Sequence, residues 1–148
     1  MATPGLYGLT VEKMMIDTAA LSIESETAVK GMLAQSAYTP DYDAHDFRND
    51  VTNEPGASGT YAAGGSVLTT TDLTPASPAA TQIKFATANP SWTSATLTAR
   101  VFVGYFTVGT AATDMLIWLS DFGADVSSTA GTYTVTCPAN GWWFLDYS

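Results

Sequence analysis

Alternation along Ala95–Phe106, apolar with polar in its upstream half, is the feature that most limits what this chain can become. Over Ala95–Phe106, Leu97, Ala99, Val101, Val103 and Tyr105 alternate with Thr96, Thr98, Arg100, Phe102 and Gly104. A period of two belongs to a strand, whose successive side chains leave on opposite faces. Gly131–Cys137 repeats the pattern, which puts Tyr133, Val135 and Cys137 inward and Thr132, Thr134 and Thr136 outward. Met115–Leu119 is apolar throughout, as a central strand with both faces covered should be.

Weaker strand signals lie upstream. Ala28–Ala34 reads as a first strand, with Gly31 marking a bulge or a close backbone approach. Val67–Thr71 and Thr81–Ala86 follow, the latter with Ile83 and Phe85 on one face and Gln82 and Lys84 on the other. Trp142–Tyr147 closes the chain. Turn chemistry separates these runs: Tyr38-Thr39-Pro40-Asp41, the Gly/Pro/Ser-rich stretch Asn53–Gly65, Pro75 and Pro78, and Asn89-Pro90. Short strands between turn clusters predict an antiparallel β-sandwich or a barrel-like domain. Strands alternating with helices, the mark of a parallel sheet, are missing, and no repeat of solenoid length occurs.

One helix is expected. Leu6, Leu9, Met14, Met15 and Ile16 approximate a period of 3.6 over Leu6–Ala20, behind the breaker Pro4-Gly5. Leu21–Thr27 then reads as a connection. The division is an N-terminal arm over 1–27 and an all-β domain over 28–148.

Charge narrows the function. Five Lys and Arg against fourteen Asp and Glu give a formal net charge of -9. Five cations cannot neutralise many phosphates, so no nucleic-acid partner is expected. An anionic membrane surface would repel the chain, and no run approaches the apolar length of a transmembrane helix. Charged residues make up 13% of the chain, well below the roughly 25% of ordinary soluble domains. Ala, Thr, Ser and Gly fill the gap, which suits a surface that packs against neighbours. No secretory signal is expected either, since Met1–Thr10 carries neither Lys nor Arg nor a continuous apolar stretch.

Catalytic-type groups concentrate in Asp41–Glu54, where Asp41, Asp43, Asp46, Asp50 and Glu54 surround His45 and Arg48. A helix–loop–helix calcium site fails on its own template, because His45 stands third, Asp46 replaces the required Gly and Thr52 occupies the twelfth position. The stretch is expected to be a turn-capping network with one helical turn within Ala44–Asn49. His45, the sole His, is expected to bond into that loop, since zinc would have to rely on carboxylates and no G-x-S-x-G elbow occurs. Gly59–Gly65 lacks the Gly-Lys-Ser/Thr of a phosphate loop and reads as a turn feeding a strand. Cys137, the single cysteine, reads as a small buried hydrophobe. No catalytic set, cofactor or resident metal is expected.

The aromatic end is different. Trp142 and Trp143 are adjacent, so in a regular strand one of them must face outward. Aromatic residues concentrate binding energy at interfaces. Leu6, Tyr7, Trp142, Trp143, Phe144 and Tyr147 are therefore the expected interface residues.

From Val29 onward an ordered set of short motifs carries a resemblance. It comprises Tyr38-Thr39-Pro40-Asp41-Tyr42-Asp43-Ala44-His45-Asp46-Phe47-Arg48-Asn49-Asp50-Val51, then Gly59-Thr60-Tyr61 with Ala63-Gly64-Gly65. Trp92, Thr98-Ala99-Arg100, Asp121-Phe122-Gly123, Ser127-Ser128 and Gly131-Thr132-Tyr133-Thr134-Val135 follow. The sequence resembles a family of small virion proteins of tailed bacteriophages. The Pro55 loop, the stretch Thr69–Ala80 and the aromatic end Trp142–Tyr147 depart from the family pattern.

The resemblance implies a non-enzymatic component of the particle, similar to a capsid decoration or cement protein. Its partners would be the major capsid protein and further copies of itself, as a homotrimer at a local threefold axis. It would be made in the host cytoplasm and reside on the capsid surface. The alternative is a tail component, in the tube, the terminator or a fibre. A hydrolase using His45 with Asp41, Asp43 or Asp46, and a sugar-binding module using an exposed Trp, are the remaining readings.

Overall fold

The computed structural model describes residues 5–6, 29–72 and 82–146. They form β1 (Gly5–Leu6), β2 (Val29–Ala34), a 3-10 turn (Arg48–Asp50), β3 (Ser66–Val67), β4 (Thr70–Asp72), β5 (Gln82–Thr87), β6 (Ser91–Phe106), β7 (Met115–Thr134) and β8 (Trp143–Asp146). Two antiparallel sheets result, ordered β1-β7-β6-β2-β3 and β4-β5-β8. The chain is all-β and antiparallel, as the alternation predicts.

The N-terminus corrects one expectation. Gly5 and Leu6 pair with Leu119 and Trp118, so Leu6 is extended where spacing predicts a helix. A strand edge offering backbone hydrogen bonds outweighs weak local periodicity. Tyr7, the remainder of the expected helix and the Leu21–Thr27 connection lie outside the described residues.

β6 and β7 form the long hairpin that organises the molecule. Met115–Leu119 and Gly131–Cys137, expected as separate strands, are joined in one strand of 20 residues ending at Thr134. The polar stretch between them pairs with β6 and holds a bulge. Val101 pairs with Asp121 and Ala99 with Val126, so extra residues of β7 loop out, and Asp121 Oδ1 accepts the Gly123 N–H at 2.7 Å.

That register break changes which face is inside. Ala95, Leu97 and Ala99 belong to one apolar cluster with Phe102, whereas Val101, Val103 and Tyr105 belong to a second. The single continuous face expected from Leu97 to Tyr105 is therefore two faces. β2 divides in the same way, with Val29 and Leu33 in the first cluster and Met32 and Ala34 in the second. On β7, Ile117 and Trp118 join the first and Leu116 and Leu119 the second, so this run is covered on both sides.

Different elements cover the two faces. Against the first pack Phe85 of β5 and Trp143 of β8, with ring centroids 5.2 Å apart for Phe85–Trp118 and 5.8 Å for Phe85–Trp143. Against the second packs the polar loop after β2, through Tyr38 and Val51. The chain passes between the sheets at Leu68–Thr69. The stretch expected as one strand over Val67–Thr71 is thus two short strands, β3 paired with β2 and β4 paired with β5. A buried aromatic side chain removes about 150–250 Å² from water, worth roughly 4–6 kcal/mol at about 25 cal/mol per Å² before the opposing entropy is subtracted.

Two glycines make room for that packing. Gly31 and Gly104 are cross-strand partners, and Gly104 also pairs with Trp118. A Cβ on Gly31 would enter the Phe102 ring, and one on Gly104 would enter the Trp118 indole. Gly31 is accordingly a site of close approach, and β2 runs past it without a register shift.

Candidate functional site

Two carboxylates of the acidic loop, Asp41 and Asp50, cap its own backbone. Asp41 Oδ1 accepts the N–H of Asp43 at 3.0 Å and of Ala44 at 3.1 Å. Asp50 Oδ2 accepts those of Asp46 at 3.1 Å and Phe47 at 2.9 Å. The 3-10 turn Arg48–Asp50 stands at the end of the stretch expected to hold one helical turn. This is the turn-capping network predicted from sequence. Among the described residues, no three or more His, Cys, Asp and Glu side chains gather where they would hold a metal ion.

A partly buried polar network ties the loop to the glycine-rich turn and to the turn before β7. Glu54 Oε1 accepts the Tyr61 hydroxyl at 2.8 Å and the Gly64 N–H at 2.6 Å. The Tyr105 hydroxyl donates to Gly64 O at 2.6 Å, and the Arg48 guanidinium lies 5.3 Å from the Tyr105 ring centre. Arg48 Nε reaches Asp114 Oδ2 at 2.9 Å, and Asp114 Oδ1 accepts the N–H groups of Val108 and Gly109. Gly64 and Gly65 both have positive φ, and a Cβ on Gly65 would collide with Gly31 O, so this turn feeding β3 demands glycine. Sequence reasoning missed Tyr61 and Asp114, because Leu33 and Arg48, which they bond, lie far along the chain.

His45 has a structural setting. Its Nδ1 accepts the Asp41 N–H at 3.3 Å and bonds the Tyr38 hydroxyl at 3.1 Å, and the two rings stack. Nδ1 thus helps to hold the loop closed. Cys137 is half-buried beside the first cluster, and burial pushes its thiol up from the ordinary value. A protonated thiol is a poor nucleophile.

The aromatic end corrects a second expectation. Trp142 and Trp143 are both buried. The strand begins only at Trp143, so alternation does not govern Trp142. Trp142 instead inserts between Phe102, 5.0 Å away, and Trp118, 6.0 Å away, while its Nε1 donates to Thr87 Oγ1 at 2.8 Å. Neither ring presents itself to a partner. Phe144 pairs with Lys84 in the ladder, and Tyr147 lies outside the described residues.

Exposed features lie on the far half of the β6–β7 hairpin. Thr96, Thr98, Ser127, Thr129, Thr132 and Thr134 form a neutral hydroxyl surface. Arg100 is paired with Asp121 through Nε at 3.0 Å and Nη2 at 3.1 Å; those hydrogen bonds, against the effect of burial, hold the Asp121 carboxyl below its ordinary value. Beside this pair a cleft of about 230 Å³ is lined by Phe122, Val126, Tyr133, Thr134, Val135 and Thr136. Its sequence signal is two apolar residues, Phe122 and Val126, embedded in the otherwise small and polar stretch after Asp121. Among the described residues no helix is long and apolar enough to cross a membrane. No family model, curated protein or solved structure matches the chain.

Proposed function

We propose that this chain is a non-enzymatic structural protein of a phage particle, a decoration or cement protein that binds the outside of the head and bridges capsid subunits. One observation carries the reading. Among the groups that would do chemistry, Asp41, Asp50 and the single His are engaged in holding a loop over the second core face. The exposed strands meanwhile present hydroxyls and small side chains with few charges, a surface suited to many weak contacts. Repeated over a cluster of copies, weak contacts multiply into avidity. We read the two sheets as halves of a sandwich and the assembly as a homotrimer, with the major capsid protein as partner.

Particles lacking the protein should lose resistance to heat and osmotic shock, and its copy number should run to hundreds per particle. A few dozen copies located on the tail would replace this reading with a tail component. Unchanged particle survival after clean deletion would remove it.

A further inference from the structure

We infer that the outer edge of β7, beside the Phe122–Val126 cleft, takes an extended segment of another protein as an added strand, with an apolar side chain in the cleft and a Lys or Arg beside Asp125. The free sides of β2 and β6 are already engaged over part of their length. On β2, Lys30 and Gly31 pair with β3, the Leu33 N–H bonds the Tyr61 hydroxyl at 3.1 Å, and the Gln35 N–H bonds Asn53 O at 2.9 Å. On β6, the Thr93 N–H bonds Thr60 Oγ1 and the Thr96 N–H bonds Ser58 Oγ, both at 2.9 Å. On β7, β1 covers Trp118 and Leu119, and among the described residues no strand pairs with the outer edge beyond them.

The edge has a defined register. The Val135 N–H is directed inward, to Pro90 O at 3.0 Å. Backbone groups alternate sides along an antiparallel strand, so Thr132 and Thr134 turn theirs outward. Both residues are exposed, and Val126–Thr134 contains none of the Lys, Arg or Pro that blunts a strand edge. Strand addition of this kind draws affinity from main-chain bonds and specificity from pockets for alternate side chains. The cleft supplies the pocket, since Tyr133 and Val135 floor it and Val126, 44% exposed, rims it. At about 230 Å³ it is smaller than the roughly 300–1,000 Å³ of drug-sized sites and suits a side chain better than a whole small molecule.

Charge selects the occupant. Asp121 is paired bidentately with Arg100, whereas Asp125 has one hydrogen-bond donor, the neutral Ser36 Oγ at 3.4 Å; its charge is felt by Arg100 without a direct ion pair and by Tyr133 in the cleft. A second copy of a chain of net charge -9 would bring acid to acid, whereas a basic extended segment completes the rim. This deepens the cement reading and rests on it only in taking that segment from a shell protein.

The test uses the full chain and two synthetic probes, an alternating Lys-Val heptapeptide and its Glu-Val counterpart. The Lys-Val peptide should slow amide exchange at Thr132 and Thr134 by about tenfold or more at saturation, and the Glu-Val peptide should not. Val126→Arg, an exposed change compatible with folding, should abolish the protection, and Asp125→Asn should weaken it several-fold. Equal protection by both peptides, none by either, or none lost in Val126→Arg overturns the proposal. So does a concentration-dependent dimer whose edge amides are protected without peptide. A parallel arm measures binding to particles stripped of the protein. Val126→Arg bound as well as wild type overturns the edge as the docking site and leaves the cement reading intact. Wild type that fails to bind particles, with peptide protection present, removes the cement reading and leaves the edge.

Discussion

The Tyr61 hydroxyl stands where a neighbouring strand would offer a carbonyl to Leu33. It accepts the Leu33 N–H at 3.1 Å and donates to Glu54 Oε1 at 2.8 Å. Tyr61 is itself almost fully buried, its ring meeting Trp92 edge-on with centroids 5.1 Å apart. One side chain thus seals a strand edge, anchors a glycine-rich turn and fills the core.

Tyr61→Phe keeps the ring and deletes both hydrogen bonds. It leaves the Leu33 N–H unsatisfied in a buried place, which costs about 1–3 kcal/mol. Denaturant unfolding should show that loss with an unchanged slope. Glu54→Gln, which still accepts from Tyr61 and Gly64, should lose less. A Tyr61→Phe protein as stable as wild type would mean that another group satisfies Leu33.

The paired glycines make a second prediction. Gly104→Ala pushes a methyl into the Trp118 indole, and Gly31→Ala pushes one into the Phe102 ring. Overpacking in a filled core costs about 1–3 kcal/mol. Gly56→Ala is the control, since nothing lies within 4 Å of its added Cβ. The first two proteins should unfold at clearly lower denaturant than the third. Trp118→Leu placed in the Gly104→Ala background should recover part of the loss, because it removes the ring that the methyl strikes.

These packing relationships mark the boundary of what the sequence discloses. Met115–Leu119 was readable because burial on both faces leaves a pattern within five consecutive letters. The acidic loop was readable because Asp side chains cap their own neighbouring amides, a local event. The face change after Ala99 was not, since the break is set by how β7 pairs, not by β6 alone. Trp142 misled for the same reason: alternation binds only residues inside a ladder, and Trp142 sits one residue before it. Leu6 turned extended because a partner strand overrode a local helical period. The β7 edge and its cleft are products of topology, visible only once β6 and β2 are seen to be covered and β7, among the described residues, is not.

Alkaline titration should report the buried hydroxyls. Burial pushes Tyr105 up to about 12, with Arg48 pulling the other way, and pushes Tyr133 up to about 12 with help from Asp125. Tyr61 is raised further by burial. A raised folded value means that the neutral form is favoured in the fold. The associated stability is complete below the unfolded value near pH 10 and is lost as pH climbs towards the folded values. Ultraviolet titration should therefore show a late group of tyrosines ionising only as the chain unfolds. Tyr105→Phe should shrink that late group. Ionisation of every tyrosine in one early step, with the fold intact, would contradict the burial of these hydroxyls.

Acid should act through Asp114. Burial alone would raise its carboxyl, but the N–H groups of Gly109 and Val108 and the Arg48 guanidinium outweigh it and hold the value below the ordinary range. A lowered folded value means that the ionised form is favoured in the fold. The stability it contributes is present above the unfolded value near pH 4 and disappears as pH falls through the folded one. Asp114→Asn should flatten that part of the acid dependence while costing stability at neutral pH, because the charge facing Arg48 is gone. Asp114→Ala removes the acceptor for three donors and should cost about 3 kcal/mol or more. Arg48→Met should destabilise less than Asp114→Ala, since the two backbone donors still hold the carboxylate. In a double-mutant cycle the Arg48 and Asp114 changes should fail to add, as expected of side chains in direct contact. Strict additivity, measured by thermal unfolding across the acid range, would show that the pair does not couple the loop to the 107–114 turn.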